Sequence, residues 1–343
     1  MKVLLYSDNK KLFRKSGIGV ALEHQMLALN RIGVDYTLNP KEKYDVAHIN
    51  TIGPGAARIL NKSKKEGIPV IYHCHTTEED FKNSFIFSNL LAPLLKKRLI
   101  KLYSKADFLL YPTKYTERLI RSYKIDNPGE VVSNGVDTAL FTRDINKAVE
   151  FRKDFGIEKD RKLFISVGYP FKRKGVEDFV EIAKKMPDAT FIWFGSKIKS
   201  ILPKEITKII NNPPKNVQFP GYLDNKKLLG AYSASDAFLF PSYEENEGIA
   251  VLEALSTGNP VIVRDIPVFE DWLINEYNCL KCVSIDSFVS ALKEICKNEL
   301  LATKLSENAR QTAKQRDLAL IGKQLKNIYL KISGNENENK NTA

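Results

Sequence analysis

At 343 residues and 43% hydrophobic content, the chain is long enough to bury two cores and therefore to form two domains. Its four cysteines are too few and too irregularly spaced for a disulfide framework, and the single CxxC pair, Cys279 and Cys282, lacks the further cysteines or histidines of a zinc site. The net charge of +12 would suit nucleic acid, but the sequence has no zinc finger, RNP-like aromatic motif or basic repeat, so we expect no nucleic-acid partner.

In chain order, the first half alternates predicted strands and helices. The strands are KVLLYSD, DVAHIN, PVIYHCHT and DFLLYPT, and the helices lie at about 19–31, at about 55–66 and in a basic stretch. Such repeated βα units favour a parallel, doubly wound sheet. The opening MKVLLY predicts a strand rather than a signal peptide, and no apolar run could span a bilayer, so we expect a cytoplasmic protein, soluble or peripheral on the inner face of the cell membrane.

The first helix opens on a glycine motif, Ser16-Gly17-Ile18-Gly19. Without a Cβ at Gly17 and Gly19, the backbone could approach a phosphate closely at the start of a helix. The motif is not the G-x-G-x-x-G dinucleotide fingerprint, because its sixth position is Leu22 and the loop before it is too long. This argues against a dehydrogenase.

Three of the four histidines fall at the carboxyl ends of predicted strands. His48 ends DVAHIN, and His73 and His75 end VIYHCHT. Lone histidines are more often satisfied polar groups than catalysts, but open α/β sheets bind ligands at the carboxyl ends of their strands. These histidines are therefore candidates for a ligand site.

The positive charge of the first half is concentrated in one stretch. Segment 82–124 holds ten Lys or Arg against two Asp or Glu, which equals the whole excess of residues 1–150. After Pro93, an apolar stripe recurs at helical spacing at Leu95, Leu99 and Leu102. The candidate membrane-binding cations beside it are Lys96, Lys97, Arg98, Lys101 and Lys105.

A basic amphipathic helix of this kind suits the surface of an anionic membrane. The preceding FKNSFIFSNLLAP adds aromatic side chains to the basic row. The alternative is a core helix whose basic face is simply solvated.

The second half predicts another set of βα units. Its strands are KLFISVGY, TFIWFGS, NVQFPGY, AFLFPS and VIV, with helices at about 148–155, 176–185, 226–233 and 318–331. The polar end GNENENKNTA predicts a disordered tail. We expect two doubly wound domains facing each other across a cleft, at 1–140 and 141–317, then a helix at 318–333 that packs back toward the first domain, and a tail at 334–343.

Three consecutive cations, Lys172, Arg173 and Lys174, stand just before a predicted helix in VGYPFKRKG. Cations at a helix start oppose the helix dipole and repel one another. That cost is easier to understand if an anion binds there, although a solvated turn is the alternative.

The most informative segment is PSYEENEGIAVLEALSTGNPVI, which follows the buried strand AFLF. It predicts an acidic loop, a helix starting near Gly248 and a further strand. Glu245 would precede the helix and Glu253 would lie on its second turn. With phosphate at the helix N-terminus, the two carboxylates could hold hydroxyls on either side, which suits a nucleotide sugar. Two solvated surface glutamates are the alternative.

Together these motifs resemble the family 4 retaining glycosyltransferases of glycosyltransferase-B fold. The resemblance covers nearly the whole chain and is carried by SGIG, HCHT, SNGVD, VGYPFKRKG and, most specifically, by the segment containing Glu245 and Glu253. It implies an α/β fold of two Rossmann-like domains and a nucleotide-sugar donor. The sequence contains no D-x-D, the usual metal-chelating motif of the other large class of sugar transferases, and we expect neither a metal nor a tightly bound cofactor.

The resemblance implies that Lys174, Glu245 and His75 are the catalytic residues. Glu245 would contact hexose hydroxyls, His75 would lie beside the sugar, and Lys174 would neutralise the leaving phosphate. Glu253 would hold the ribose.

The resemblance also implies which backbone groups face the diphosphate, namely those of Gly17, Gly19, Gly248 and Ile249. The chain departs from the family where an arginine usually follows the glycine of the phosphate loop, because Tyr169 stands there. We take Arg173 as the substitute cation.

A second departure is Glu247, at a position where the family usually has phenylalanine. The variant EENEG, with RKSGIG, YDVAHINTIGP and TTEEDFKNSFIFSNLLAP, resembles bacterial glycolipid synthases that add a second hexose to α-glucosyl-diacylglycerol. This implies a membrane-associated retaining transferase that uses a UDP-hexose, glucose or galactose, with an anionic membrane surface and a glycolipid acceptor as partners. Alternatives are a first-step diacylglycerol glucosyltransferase, a transferase with a soluble or cell-wall acceptor, a non-enzymatic membrane-binding protein and a sugar-nucleotide epimerase.

Overall fold

The computed structural model describes residues 1–8, 16–196 and 201–334, so most of the predicted disordered tail lies outside the described residues. The strands are β1 (Lys2–Tyr6), β2 (Asp35–Thr37), β3 (Val46–Ile49), β4 (Val70–His73), β5 (Phe108–Tyr111), β6 (Gly129–Val131), β7 (Leu163–Val167), β8 (Thr190–Phe194), β9 (Val217–Gly221), β10 (Ala237–Phe240), β11 (Val261–Arg264) and β12 (Leu280–Cys282). The helices are α1 (Gly17–Arg31), α2 (Pro54–Lys65), α3 (Glu78–Phe81), α4 (Ser88–Tyr103), α5 (Lys114–Ser122), α6 (Ile145–Asp154), α7 (Val176–Lys184), α8 (Lys204–Asn211), α9 (Asn225–Ala234), α10 (Ile249–Ser256), α11 (Ile285–Lys297), α12 (Glu299–Lys314) and α13 (Leu318–Ser333).

The strands form two six-stranded sheets, and each sheet has helices packed on it. The strand order is β2-β1-β3-β4-β5-β6 in the first sheet and β12-β11-β10-β7-β8-β9 in the second. Neighbouring strands pair in parallel throughout both described sheets. The predicted α/β class with two doubly wound parallel sheets is confirmed.

The chain divides into two compact units. The first comprises residues 1–78, 91–135 and the chain from 316 onward, and the second comprises 79–90 and 136–315. Segment 79–90, which the sequence assigned to the first domain, is thus part of the second unit. Backbone hydrogen bonds hold it there, because Arg173 N donates to Asn83 O at 3.0 Å and Ile86 N donates to Ile201 O at 3.0 Å.

The core of the first unit lies on both faces of its sheet. Central strands such as β3 and β4 are buried along their whole length, as expected of parallel strands covered by helices on both sides. The final helix α13 packs on α1 at Gly322, where a Cβ would stand 2.5 Å from the carbonyl oxygen of Ala28. Glycine at this position allows the two helices to approach closely.

The core of the second unit is rich in aromatic side chains. Phe179 of α7 meets Phe191 and Trp193 of β8 in edge-to-face contacts, with ring centroids 5.6 and 5.2 Å apart. These rings fix α7 against the sheet. They thereby fix the start of α7, where the three consecutive cations lie.

Candidate active site

Helix α10 begins directly after the acidic loop that follows β10. Gly248 precedes it with φ +95°, a left-handed conformation that favours glycine. Gly248 has no side chain with which to cap this helix, so the first backbone N–H groups of the helix must be satisfied by other partners. This end of the helix has N–H groups and a partial positive charge that suit an anion, which is the role that the sequence predicts for it.

Glu245 is buried in the acidic loop and paired with Lys174. The residue is 4% exposed, and its side chain accepts hydrogen bonds from Lys174 Nζ and, at 2.5 Å, from Ser242 Oγ. Burial opposes charge on the carboxyl group, but the Lys174 and Arg173 cations outweigh burial and lower the pKa of Glu245. The structure therefore holds an ionised carboxylate against an ammonium group.

Gly175 explains how Lys174 reaches this position. Residues Lys172–Lys174 form a 3₁₀ turn, and Gly175 follows with φ +75°. A Cβ at Gly175 would stand 2.2 Å from the carbonyl oxygen of Pro241, at the end of β10. The lysine–glycine sequence is thus needed to bring the basic turn against the start of the acidic loop.

Arg173 is engaged within the second unit. It is 8% exposed, and its Nε donates to Ser84 Oγ at 3.0 Å. Its Nη1 donates to the carbonyl oxygen of Glu244 at 2.8 Å and lies 2.8 Å from Asp80 Oδ1. A phosphate that binds Arg173 would therefore have to compete with the carboxylate of Asp80. The sequence did not predict this ion pair, because the two residues are far apart in the chain.

Glu253 lies on the second turn of α10 and is 5% exposed. The hydroxyl group of Tyr232 donates to its Oε2 at 2.8 Å. Burial raises the pKa of Glu253 to about 7, and the hydrogen bond from Tyr232 opposes that rise. A carboxylate with this pKa changes charge within the physiological range.

The glycine motif stands where the sequence placed it, at the start of α1 in the first unit. Ser16 caps the helix, its Oγ accepting a hydrogen bond from Gly19 N at 3.3 Å. Gly17 is exposed, and a Cβ there would meet no described atom within 4 Å. Its backbone is therefore accessible to a ligand.

His75 lies just beyond β4 and is 8% exposed. Its Nε2 is 2.9 Å from Asn50 Oδ1, and its ring stacks on His73 with centroids 3.9 Å apart. Burial lowers the pKa of His75 to about 3, so the ring is neutral at physiological pH. Gln25, which pairs with Asn50, was missed by the sequence analysis because a glutamine inside a helix carries no motif.

The candidate residues are thus distributed over both units. Arg173, Lys174 and Glu245 meet in the second unit, which also carries Glu253 and the start of α10. Gly17, Gly19 and His75 belong to the first unit.

Within the described ranges, no group of three or more His, Cys, Asp or Glu side chains could hold a metal ion. The ring of Tyr169, at the position of the missing arginine, stacks on Phe171 with centroids 5.3 Å apart.

Helix α4 has buried leucines on one side and exposed leucines near its start. Leu99 and Leu102 are buried in the core of the first unit, and Leu95 packs partly buried against it. The predicted apolar stripe therefore belongs to the core, as in the alternative interpretation of this helix. Leu90 and Leu94, by contrast, are 76% and 66% exposed.

The five candidate membrane-binding cations differ in their partners and in their exposure to solvent. Lys96 Nζ lies 3.0 Å from Glu78 Oε2, and Arg98 Nε donates to the carbonyl oxygen of Ile52 at 2.5 Å. The exposed cations are Lys97 and Lys101 on the helix and Lys105 just beyond its end. In the part of the chain that the structure describes, no helix has the length and apolar character to cross a membrane.

Two family models match the chain. One, described as "Glycosyl transferases group 1", matches residues 148–312, and the other, described as "Glycosyltransferase Family 4", matches residues 30–140. Together they cover every strand of both sheets except β1.

Similar proteins include two that act in glycolipid synthesis by name. A processive diacylglycerol alpha-glucosyltransferase of Acholeplasma laidlawii is 40% identical over 97% of this chain and 98% of its own length. An alpha-galactosylglucosyldiacylglycerol synthase of Streptococcus pneumoniae (strain ATCC BAA-255 / R6) is 24% identical over 92% of this chain and 85% of its own length. Among solved structures, Anabaena Alr3699/HepE in complex with UDP and glucose is similar in fold, with a TM-score of 0.78, 15% identity and coverage of 96% of this chain and 99% of that chain.

Proposed function

Since the chain belongs to the glycosyltransferases of group 1 and family 4, we propose that it transfers a hexose from a UDP-sugar to a diacylglycerol-type lipid with retention of the α configuration. The observation that carries this proposal is the 40% identity, over almost the full length of both chains, to a processive diacylglycerol alpha-glucosyltransferase. The sugar in a UDP-hexose is α-linked, so an α-linked product requires retention.

The donor would bind chiefly through the second unit. The amides of Gly248 and Ile249 would face the diphosphate, Glu253 would accept hydrogen bonds from the ribose, and Glu245 would accept them from the hexose. This assignment is supported by the glycine at the N-cap of α10, which has no side chain to cap the helix, and by two carboxylates that are both buried. In the first unit, the backbone groups of Gly17 and Gly19 are our candidates for contact with phosphate.

Lys174 would stabilise the departing diphosphate. Its ammonium group is already held by Glu245, so it needs little reorganisation as negative charge develops on the leaving oxygen. In this proposal the acceptor hydroxyl attacks the face that the phosphate leaves, and a phosphate oxygen takes its proton. The side chains supply position and charge rather than a covalent bond to the sugar.

The similar proteins change our expectation about which lipid accepts the first hexose. The sequence favoured addition of a second hexose to α-glucosyl-diacylglycerol, with first-step glucosylation of diacylglycerol as the alternative. The name of the A. laidlawii relative supports the alternative better. Because that relative is called processive, we propose that diacylglycerol is glucosylated first and that the product then accepts a second hexose.

Helix α4 supports a position at the membrane surface. Exposed Leu90, Leu91 and Leu94 at its start, followed by exposed Lys97 and Lys101, form an apolar surface beside a cationic one. Exposed leucines can enter the boundary between headgroups and acyl chains while lysines meet anionic headgroups. The enzyme would then act as a peripheral protein on the cytoplasmic face, where it meets both UDP-sugar and lipid.

A transfer assay tests the function and the acceptor together. Purified protein is incubated with UDP-glucose or UDP-galactose and with vesicles that contain diacylglycerol, α-glucosyl-diacylglycerol or neither, and lipid products are identified by mass. We expect monoglucosyl lipid and then diglucosyl lipid from diacylglycerol vesicles. Product only from α-glucosyl-diacylglycerol would favour the second-step enzyme, and free hexose without lipid product would contradict the proposal.

A further inference from the structure

We propose that Tyr232 is a positioning residue for Glu253, and that its hydroxyl group supports both protonation states of this side chain, as a donor to the carboxylate and as an acceptor from the protonated acid. The inference deepens the proposed function, in which Glu253 accepts hydrogen bonds from the ribose of the donor. The importance of Tyr232 for donor binding rests on that function. All residues involved belong to the second unit.

The hydroxyl group of Tyr232 is the partner of a carboxyl group that is almost completely removed from water. Tyr232 on α9 is fully buried, Glu253 on α10 is 5% exposed, and Tyr232 Oη donates to Glu253 Oε2 at 2.8 Å. Among the described residues, no other side chain forms a hydrogen bond with this carboxyl group. A hydrogen bond to an ionised group is roughly twice as strong as one between neutral groups. The Tyr232 hydroxyl therefore favours the ionised form of Glu253.

A second acceptor allows the hydroxyl group to follow the protonation of Glu253. Tyr232 Oη lies 3.1 Å from the carbonyl oxygen of Ala250, three residues earlier on α10. A hydroxyl group has one hydrogen to donate, and it can also accept. When Glu253 is ionised, Tyr232 donates to the carboxylate. When Glu253 is protonated, the acid donates to Tyr232, whose own hydrogen turns to Ala250, so the buried groups stay paired in both states.

The ring of Tyr232 is held by contacts that do not involve its hydroxyl group. It packs edge-to-face on Phe141, with centroids 5.9 Å apart, and at a tilted angle on Phe238, with centroids 5.6 Å apart. Asn259, just beyond α10, donates from Nδ2 to the carbonyl oxygen of Tyr232 at 2.9 Å. Because these contacts remain when only the hydroxyl is removed, we expect Tyr232→Phe to keep the fold.

Burial and Tyr232 have opposite effects on the charge of Glu253. Burial raises the pKa of Glu253 to about 7, and the hydrogen bond from Tyr232 opposes that rise. Burial and, after it, the charge of Glu253 raise the pKa of Tyr232, so its hydroxyl keeps its proton near neutral pH. Tyr232 is therefore available as a donor over the whole range in which Glu253 titrates.

The other charged side chains near α10 do not act on Glu253. Besides α9, helix α12 and strands β10 and β11 pack on α10. Strand β10 has no titratable side chain, Arg264 of β11 is paired with Asp178, and Arg310 of α12 lies beyond the end of α10. The remaining charges of α12 are Glu299, Lys304, Glu307 and Lys314. Among the described residues, Tyr232 is the one side chain that shifts the pKa of Glu253.

The charge of Glu253 decides what it can offer a ribose. An ionised carboxylate has about four acceptor positions, and Tyr232 occupies one of them, so two ribose hydroxyls could still be accepted. The protonated acid has fewer acceptor positions and carries a hydrogen of its own. By favouring the ionised form, Tyr232 would keep Glu253 in the state that binds the donor.

The test changes the strength of this hydrogen bond in both directions. Tyr232→Phe removes the hydroxyl, whereas replacement of Tyr232 by 3-fluorotyrosine makes the hydroxyl more acidic and therefore a stronger donor. Tyr44→Phe is the matched control, because it removes the hydroxyl of another buried tyrosine, which lies 3.1 Å from Ser63 Oγ in the first unit. Protein labelled with ¹³C at its glutamate carboxyl groups is titrated by NMR without donor, and Glu253→Gln identifies the signal of Glu253.

We expect the midpoint of the Glu253 titration to rise in Tyr232→Phe, to fall with 3-fluorotyrosine and to stay unchanged in Tyr44→Phe. The Kd for UDP alone, measured by calorimetry at pH 7, should rise about fivefold in Tyr232→Phe, because a tenfold weaker acid would be about 9% ionised at that pH instead of about 50%. A merely structural role would lower the melting temperature and leave the midpoint in place.

Three results would overturn the inference: an unchanged midpoint in Tyr232→Phe, a shift in the same direction in both Tyr232 variants, or an equal shift in Tyr44→Phe. If Tyr232→Phe fails to fold, the 3-fluorotyrosine protein decides, and an unchanged midpoint there would overturn the inference. Because the titration needs no donor, shifted midpoints without any hexosyl transfer would contradict the proposed function alone.

Discussion

At the scale of single residues, the ion pair between Lys174 and Glu245 joins two of the proposed catalytic side chains in the second unit. Both side chains are largely buried, and removing one partner of a buried pair leaves an uncompensated charge that typically costs about 3–5 kcal/mol of stability. In an alanine variant, a loss of activity could therefore result from a loss of folding. A substitution that keeps the shape of the side chain adds no cavity, so only the lost charge pairing can affect folding, and the fold of the variant is checked separately.

Glu245→Gln tests the role of this carboxylate. Glutamine keeps the size of the side chain and an oxygen that can accept from Ser242. It removes the charge that pairs with Lys174 and that, in our proposal, would accept hydrogen bonds from the hexose. We expect the rate of lipid glycosylation to fall by about 100-fold or more, as when a preorganised electrostatic contact is lost. Wild-type turnover in a variant with an unchanged circular dichroism spectrum would rule out the site assignment.

The raised pKa of Glu253 predicts that the KM for UDP-hexose depends on pH. Its pKa of about 7 means that it is half protonated near neutrality. In our proposal, only the ionised carboxylate could accept hydrogen bonds from both ribose hydroxyls. The KM for UDP-hexose should therefore fall as pH rises from about 6 to about 8. In Glu253→Gln the KM should be high and flat over this range, and a slope retained in that variant would assign the titration to another group.

The same shift has the opposite sign for stability. The folded-state pKa of Glu253, about 7, lies above the ordinary value of 4.5, so between these values the folded chain holds a proton that the unfolded chain has lost. The contribution of Glu253 to the free energy of unfolding therefore declines as pH rises from about 4.5 to about 7. Donor binding and stability thus respond to this group in opposite directions.

The sequence nominates candidate site residues, but it does not reveal their partners. Glu245, Glu253, Lys174 and the glycines are candidates because of their motifs and the family resemblance. The pairing of Lys174 with Glu245 joins positions 71 residues apart, and the contact of Arg173 with Asp80 joins two structural segments. Nothing local in the sequence specifies such contacts, because they depend on where the strands and loops are brought together by the fold.

At the scale of elements, the sequence predicted those with clear periodicity and missed the others. Buried strands such as β4 and β10 are continuous apolar runs, and their predictions are confirmed. The three-residue strands β2, β6 and β12 lie at sheet edges and are too short for a pattern to emerge. Helices α3, α5, α8, α11 and α12 were not predicted either.

The basic turn before α7 gives a prediction about glycine. Gly175→Ala meets both a positive φ and the carbonyl oxygen of Pro241, whereas Gly156→Ala meets a positive φ with open space around the added Cβ. We expect Gly156→Ala to cost about 1–2 kcal/mol in the free energy of unfolding, the cost of a left-handed conformation. Gly175→Ala should cost clearly more, as measured by chemical denaturation, and equal costs would contradict the close approach of the turn to β10.

Helix α4 gives a prediction about membrane binding. Lys97→Ser with Lys101→Ser removes two exposed cations, each contributing about 1 kcal/mol at an anionic surface, so binding to anionic vesicles should weaken about 30-fold. The matched control is Lys293→Ser with Lys297→Ser on α11, which makes the same change in net charge at another exposed helix. Sedimentation with vesicles measures both, and equal losses would show that binding follows net charge rather than α4.

At the scale of the whole molecule, the candidate site residues are divided unequally between two α/β units. The second unit carries the candidate cations and carboxylates for the nucleotide sugar. The first carries the glycine motif, the buried histidines and the exposed cations of α4. The sequence predicted two such sheets because repeated βα patterns are visible in a single sequence. Our choice of diacylglycerol as the first acceptor, by contrast, rests on the name of a relative.

The most direct test of the central claim is the anomeric configuration of the lipid product. UDP-glucose and diacylglycerol vesicles are incubated with the purified protein, and the glycolipid is isolated for proton NMR of its anomeric hydrogen. We expect a glucosyl-diacylglycerol with the small anomeric coupling constant of an α linkage, which would establish both the lipid acceptor and retention. A β-linked glycolipid would contradict retention, and the absence of any glycolipid would contradict the proposed transfer to diacylglycerol.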